Sequence, residues 1–401
     1  MSSDRIMSGN MSENMLWRGI SKMGVRLRNR LGMVLVLTLS VSWFSGCMRT
    51  EKEAEAVSEP SVFSTGEIED IESSESKATS PEEDVEATGV VGDFSEGTPI
   101  NYSWNPYVFS QVNLSALDEG ADMVFCDWID AIINGEATVA CPSEDMMLDL
   151  QLQMSTFFPP FYSLVSEYTY SDGQIVMQFS SDEETRSQIL SDFTDQIAFL
   201  IHLAAVKEED SQTVRAIKLY RMFSGIVSYD YEAEASEEIV DVSAYRAIMQ
   251  NEGICQSFAS AYAYLCLQVG IDATTTSGMT DGTAGDFMAH EWTLLRLNDH
   301  YYYADTTFEN GMGGGGLMYY GMTSAQRELA GGFVAADYNI GSSNEIWGSD
   351  FDVSDEAFSP LWNCVYVISV DDGPGGVVIL CEDGEGNTFE FFPDAVGAPA
   401  Q

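Results

Sequence analysis

The sequence predicts an α+β fold, and two patterns carry that prediction. Apolar residues recur at helical spacing in a series of stretches between Leu117 and Val269, each bounded by cap or stop residues. Around them lie short β-branched and aromatic runs, broken by Ser171-Asp172-Gly173, Asn298-Asp299, Asp372-Gly373-Pro374-Gly375 and Asp383-Gly384-Glu385-Gly386. Helices dominate the N-terminal part, a small β unit closes the chain, and no internal repeat is present.

Before residue 99 no packed structure is expected. Arg18, Lys22, Arg26, Arg28 and Arg30 precede the apolar run Leu31–Trp43. That run is too short to span a bilayer and reads as the core of a secretory signal, with an uncleaved anchor as the alternative. Met23 is a second candidate start. The run ends at Phe44-Ser45-Gly46-Cys47, which resembles the lipobox of bacterial lipoproteins, although Phe44 stands where Leu is usual. The resemblance implies cleavage before Cys47, lipidation of Cys47, and an exported protein anchored to the outer face of a membrane. Residues 1–46 are then the signal peptide and 47–98 a linker. Residues 51–96 hold 15 acidic residues and two lysines with few aromatics. Such a segment cannot bury enough apolar surface to order itself. As a flexible tether it spans about 40 Å.

Three folded regions follow: 99–210, mostly helical with one hairpin; 211–342; and 343–401, a small β region. Helices are expected at Leu117–Ile133, stopped by Asn134-Gly135, and from Ser143 toward Phe157. Phe161–Tyr170 and Gln174–Phe179 read as a hairpin. Ser181 with Glu184 makes a capping box for a helix to about Val206, and Asp210 or Ser211 caps the next, to about Ile226. Ser243–Gln250 and Cys255–Val269 read as helices, Phe287–Leu297 and Tyr301–Phe308 as strands. In the tail, Cys364–Val370, Val377–Cys381 and Thr388–Phe392 read as strands between tight turns.

Composition excludes one class of partner. The chain has 64 acidic and 17 basic residues, a net charge of −47. Loss of residues 1–46 leaves 62 acidic and 11 basic ones. No Lys/Arg cluster follows the first thirty residues, so nucleic acid is not an expected partner. An acidic surface first of all keeps a protein soluble; preference for cationic substrates or life at high salt are the alternatives. Export permits disulfides, and Cys126–Cys141 and Cys364–Cys381 are candidate pairs by proximity alone. Cys266 reads as a small buried hydrophobe.

The chemistry lies between Gly253 and Thr307. Cys255 stands where a glycine-punctuated loop enters an apolar helix, a place where free N–H groups and the helix dipole favour a thiolate. His290 comes 35 residues later and Asp305 another 15. Together they make a candidate nucleophile, base and orienter. With Asn298-Asp299 as the central turn, Leu297 pairs with His300, and His290 and Asp305 become diagonal neighbours about 7–8 Å apart. A one-residue slip would separate them onto opposite faces. His202 reads as a helix residue and His300 as a solvated turn residue. Gly311-Met312-Gly313-Gly314-Gly315-Gly316 fits a dinucleotide fingerprint in letters only; without a βαβ context it reads as a flexible loop near the site. His290-Glu291 lacks the second His of a zinc protease, and the Asp-Gly clusters near 281, 372 and 383 read as turns, not calcium loops. No metal or cofactor is therefore expected.

Residues 211–325 resemble the transglutaminase-like superfamily, a papain-like group. The resemblance rests on Tyr229-Asp230-Tyr231, Ser243-Ala244-Tyr245, Gly253-Ile254-Cys255-Gln256-Ser257-Phe258-Ala259, His290-Glu291-Trp292 and Tyr302-Tyr303-Ala304-Asp305-Thr306-Thr307-Phe308. It implies a Cys-bearing helix packed on an antiparallel sheet that carries His and Asp. It also implies attack of Cys255 on an amide carbonyl, proton transfer by His290, and orientation by Asp305. The Cys255 backbone N–H is the first oxyanion candidate and Tyr229 the second. This sequence departs at Ser257, where Gly or Asp is common, and at Glu291, where a small residue is common. A peptide or protein amide is the implied substrate. Hydrolysis is preferred to cross-linking, because an exposed surface site cannot easily exclude water. A non-catalytic surface module with the same fold is the alternative.

Overall fold

A computed structural model describes residues 98–236, 241–281, 287–330, 332–333, 351–373 and 376–396. The signal run, Cys47 and the acidic linker lie outside the described residues.

The first elements share a core of their own. They are α1 (Gln111–Leu114), α2 (Ala121–Asn134), β1 (Thr138–Ala140), α3 (Glu144–Phe157), the single turn α4 (Phe161–Leu164), β2 (Val165–Ser171) and β3 (Gln174–Phe179). Trp128, Phe161 and Met177 pack at its centre. The strands form an antiparallel sheet in the order β1-β3-β2. Gly135, left-handed at φ 73°, stops α2, and Ser143 caps α3. The hairpin begins later than the pattern suggests, because Phe161–Leu164 closes a helical turn on Pro160 first.

α5 (Glu183–Leu203) is capped by Asp182, not Ser181: the Asp182 carboxylate accepts the Thr185 N–H at 2.9 Å. Ser211 caps α6 (Gln212–Ile226). Asp210, the other candidate, is drawn instead to the buried Lys218, 2.8 Å away. β4 (Ser228–Tyr229) and β5 (Glu252–Gly253) pair in parallel, with α7 (Tyr231–Ala235) and α8 (Ala244–Gln250) between them. α9 (Cys255–Gln268) then passes through the larger core, buried at every position from Cys255 to Cys266. Ala259, Ser260, Ala261 and Ala263 keep it slim enough to lie between the sheet and α3.

That sheet has the order β8-β7-β6-β9, from β6 (Asp272–Asp281), β7 (Phe287–Leu297), β8 (His300–Ala304) and β9 (Gly332–Phe333). β6 escapes a hydropathy reading because its interior is threonine: Thr274, Thr275 and Thr276 are buried in place of aliphatic residues. α10 (Thr306–Gly311) and α11 (Ser324–Leu329) follow the hairpin. Gly311–Gly316 is no loose loop. A Cβ on Gly314 would stand 2.5 Å from the Ser224 carbonyl oxygen, and one on Gly316 2.6 Å from that of Cys364. The glycines let this segment lie against two others.

β10 (Tyr366–Gly373), β11 (Gly376–Glu382) and β12 (Thr388–Phe391) form the C-terminal antiparallel sheet. Val367, Ile379 and Cys381 join the same core as α6 and α9. An ion cluster fastens the sheet further: Asp372 lies 2.7 Å from Lys207 and 2.9 Å from Lys218. The turn after β11 is self-contained, with Asp383 Oδ1 accepting the N–H groups of Glu385 and Asn387. The six described cysteines are all outside disulfides. Cys364 and Cys381 are nonetheless neighbours in the buried core, the Cys364 thiol donating to the Tyr366 carbonyl at 3.6 Å.

Candidate active site

Cys255 is the first residue of α9. Ile254 precedes it in extended conformation (φ −104°, ψ −177°) and carries no side-chain cap. The approach to this point is fixed by β4 and β5: Tyr229 is registered with Gly253, and the Asp230 N–H donates to the Gly253 carbonyl at 2.9 Å. Only glycine fits at 253, where a Cβ would fall 2.5 Å from the Cβ of Ser257. Cys255 is 4% exposed. Cys266, eleven residues on, is a different kind of thiol: burial pushes it up to about 12, out of reach of ionisation at neutral pH.

His290 lies on β7, registered with Gly278 of β6. The β7–β8 hairpin has the register that the turn predicts. Asn298 and Asp299 are both left-handed (φ 51° and 66°), as a two-residue hairpin turn requires. Leu297 pairs with His300 and Thr293 with Ala304. The strand then ends, short of the expected Phe308. Asp305 caps α10 instead, accepting the Phe308 N–H at 2.9 Å. A carboxylate three residues before a free N–H satisfies the helix start, and this local bond competes successfully with the strand pattern of Thr306 and Thr307.

The cap leaves the other carboxylate oxygen for His290: Nε2 and Asp305 Oδ2 are 2.7 Å apart, both groups buried. Backbone bonds fix Asp305 further, its N–H donating to the Tyr319 carbonyl and its carbonyl accepting from the Tyr220 hydroxyl. With Nε2–H given to the carboxylate, Nδ1 is the imidazole's remaining basic nitrogen. The ring stacks on Phe308, centres 4.7 Å apart, and lies 5.8 Å from the tilted ring of Trp292. Burial would push the Asp305 carboxyl up, but His290, Arg327 and the Phe308 N–H together hold it below the usual range.

The residues that follow the thiol and the imidazole are joined. The Gln256 side chain is hydrogen-bonded to the Glu291 carboxyl, which Thr275 also bonds. Alternation along β7 turns Glu291 and Thr293 toward α9, where Thr293 Oγ1 donates to the Ala259 carbonyl at 3.0 Å. His290, Trp292 and Leu294 take the other face, with Tyr303 and Arg327. Burial pushes Glu291 up to about 7. A raised folded-state value means stability that is complete below the unfolded pKa and lost as pH rises through about 7. Glu291→Gln keeps both partners and removes the titration. The fall in urea midpoint between pH 5 and pH 7.5 is expected to shrink, by on the order of 3 kcal/mol in unfolding free energy. An unchanged slope would show that Glu291 ionises without cost.

Several residues here carry no sequence signal. Arg327 is fully buried on α11 and lies 2.9 Å from Asp305 Oδ2. Glu309 on α10 is buried beside Asp305, its carboxyl 3.2 Å from the Tyr220 hydroxyl oxygen, and is pushed up to about 7 by burial. Glu291, by contrast, stands out in the sequence as a departure from the family pattern, which favours a small residue there. Tyr229 stands on β4, its ring 6.1 Å from that of Phe258. His202 and His300 are exposed, away from the pair.

Residues 201–306 match a family model described as the transglutaminase-like superfamily. The chain carries a transglutaminase-like domain there, and Cys255, His290 and Asp305 all fall within it. Two solved structures are similar over part of the chain. One, described as the crystal structure of a TGase, is 14% identical with a TM-score of 0.26, covering 36% of this chain and 44% of that one. The other, described as that of a "Putative Cysteine Protease from Cytophaga hutchinsonii", is 17% identical with a TM-score of 0.22, covering 30% and 37%. The chain spans less than half the length of either. No curated protein matches it.

Proposed function

We propose that this protein is a cysteine acyl-transfer enzyme of the transglutaminase-like kind, acting on peptide or protein amides and more often hydrolysing than cross-linking them. The observation that carries the reading is the buried 2.7 Å bond between His290 Nε2 and Asp305 Oδ2, with a cysteine at the N-terminus of the helix packed on the same strands. Cys255 Sγ attacks the amide carbonyl as His290 Nδ1 takes the thiol proton. The oxyanion forms beside the N-terminus of α9, where the Cys255 N–H is its first donor and Tyr229 a second. The C–N bond breaks, the leaving amine takes the proton from His290, and a thioester remains. Water, deprotonated by the same imidazole, releases the acid; an amine in its place gives the cross-linked amide. Because His290 faces away from the flank of α9, thiol and imidazole meet in this reading at the helix end. The leader would direct export, and the lipidated Cys47 would hold the enzyme outside the cell on its tether.

One observation favours a non-catalytic binding module: Cys255 and His290 are only 4% and 7% exposed. Alkylation separates the two readings. Cys255, identified by loss of label in Cys255→Ala, is expected to react with iodoacetamide well below pH 7, and His290→Ala to slow that reaction most at low pH. A Cys255 that reacts only near about pH 8.5 would favour the binding module. Product analysis with and without a primary amine then distinguishes hydrolysis from cross-linking.

A further inference from the structure

The pair of His290 and Asp305 has a third member. We propose that Arg327 is a positioning residue for the acyl-transfer reaction, the counter-charge that holds the Asp305 carboxylate in place against His290. The proposal rests on the reading of Cys255, His290 and Asp305 given above.

Arg327 is 0% exposed, a rare state for an arginine. Its element, α11, is held to the hairpin from both sides. Tyr303 and Met322 exchange backbone bonds of 2.9 and 2.8 Å, and the Ser324 N–H donates to the Val353 carbonyl. Thr323 caps the helix through the Gln326 N–H. The guanidinium then lies between two rings, 4.3 Å from the centre of Trp292 and 4.7 Å from that of Phe308. Phe308 is the ring that stacks on His290, and Trp292 is the next inward residue on its strand. Arg327 thus touches the carboxylate and both aromatic neighbours of the imidazole.

The arrangement is a poor device for stability. Nε, Nη1 and Nη2 all lack a hydrogen-bond partner among the described residues, Nη2 meeting Asp305 Oδ2 as an ion pair alone. A buried guanidinium with unused donors is costly, and ion pairs of this sort are commonly matched by apolar residues of like volume. The ion pair instead completes a charge balance. Facing Asp305 are His290 from β7, Arg327 from α11, Glu309 from α10, and the hydroxyls of Tyr220 and Tyr319. The imidazole and the guanidinium meet at one oxygen, Oδ2. Without Arg327, the Asp305 carboxylate would have no permanent cation beside it among the described residues. Asp305 would then take up a proton at higher pH, losing the acceptor that orients Nε2–H and leaving Nδ1 free to turn from the thiol.

The test uses the full chain as Arg327→Met, Arg327→Lys, Asp305→Asn and His290→Ala, with thermal melts to confirm folding. The readout is the pH profile of Cys255 alkylation by iodoacetamide, followed by the pH profile of kcat on any amide substrate found. Arg327→Met is expected to move the acid limb up by about one pH unit and to lower the rate at pH 6 about tenfold. Arg327→Lys is expected to restore most of the shift. A folded Arg327→Met whose acid limb matches the unsubstituted protein, while Asp305→Asn and His290→Ala are impaired, would overturn the proposal and leave the catalytic reading standing. Should Arg327→Met not fold, Arg327→Lys decides: an acid limb displaced as far as that of Asp305→Asn would overturn the counter-charge role. Unimpaired alkylation in His290→Ala and Asp305→Asn would overturn both at once.

Discussion

Cys255→Ala is expected to lower kcat/KM by at least about 10⁴-fold, with His290→Ala close behind and the double variant no worse than either. The size of the effect follows from the chemistry. Alanine has no nucleophile, so the acyl-enzyme cannot form, and what remains is binding plus whatever the N–H groups at the start of α9 do for a directly attacking water. The non-additivity follows from the imidazole's task, which is to deprotonate a thiol that the first substitution has already removed. The fold should not suffer, because Cys255→Ala trims one atom from a helix whose neighbours are already small. Melts of the two proteins should therefore overlay while turnover disappears. Residual turnover within about tenfold of the parent would sink the proposed mechanism, since no other described cysteine is at a helix N-terminus.

Much of this site could be read before any coordinates, and the reasons are local. Asn298-Asp299 accept left-handed backbone, a two-residue turn fixes the register, and the register decides which residues share a face. The entry into α9 was legible for the same reason: Gly253 followed by a run of apolar and small residues has few other solutions. Reading failed where a local bond overrode a pattern or where the partner came from afar. Asp305 stops its strand by capping α10, and Asp182 displaces Ser181 as a cap; each case turns on which side chain reaches an N–H first. β6 was hidden by its threonines. Arg327 was hidden altogether, because nothing in a short exposed-looking segment after Thr323 announces that its guanidinium will be buried 22 residues beyond its carboxylate. Pairings of that kind are set by tertiary packing alone.

Asp305→Asn carries the second large effect, and it acts on stability and activity together. The amide matches the carboxylate in shape but not in charge, so Arg327 becomes an uncompensated cation in the interior. Breaking one partner of a buried pair costs about 3–5 kcal/mol. Activity is expected to fall by about 10²–10⁴-fold, because the amide neither fixes the imidazole tautomer nor stabilises the imidazolium. The two losses come apart in the double variant Asp305→Asn/Arg327→Met. Removing the stranded cation should return most of the stability and none of the activity. pH gives an independent check. The Asp305 carboxyl is held below its ordinary value, so its contribution is present above the unfolded-state pKa and is lost as pH falls through the folded one. The unsubstituted protein should therefore lose stability on acidification below about pH 4, and the double variant should lose less over the same range. If Asp305→Asn melts with the parent, the ion pair with Arg327 contributes nothing to folding. If the double variant recovers activity as well as stability, the carboxylate is a structural charge and His290 needs no orienter.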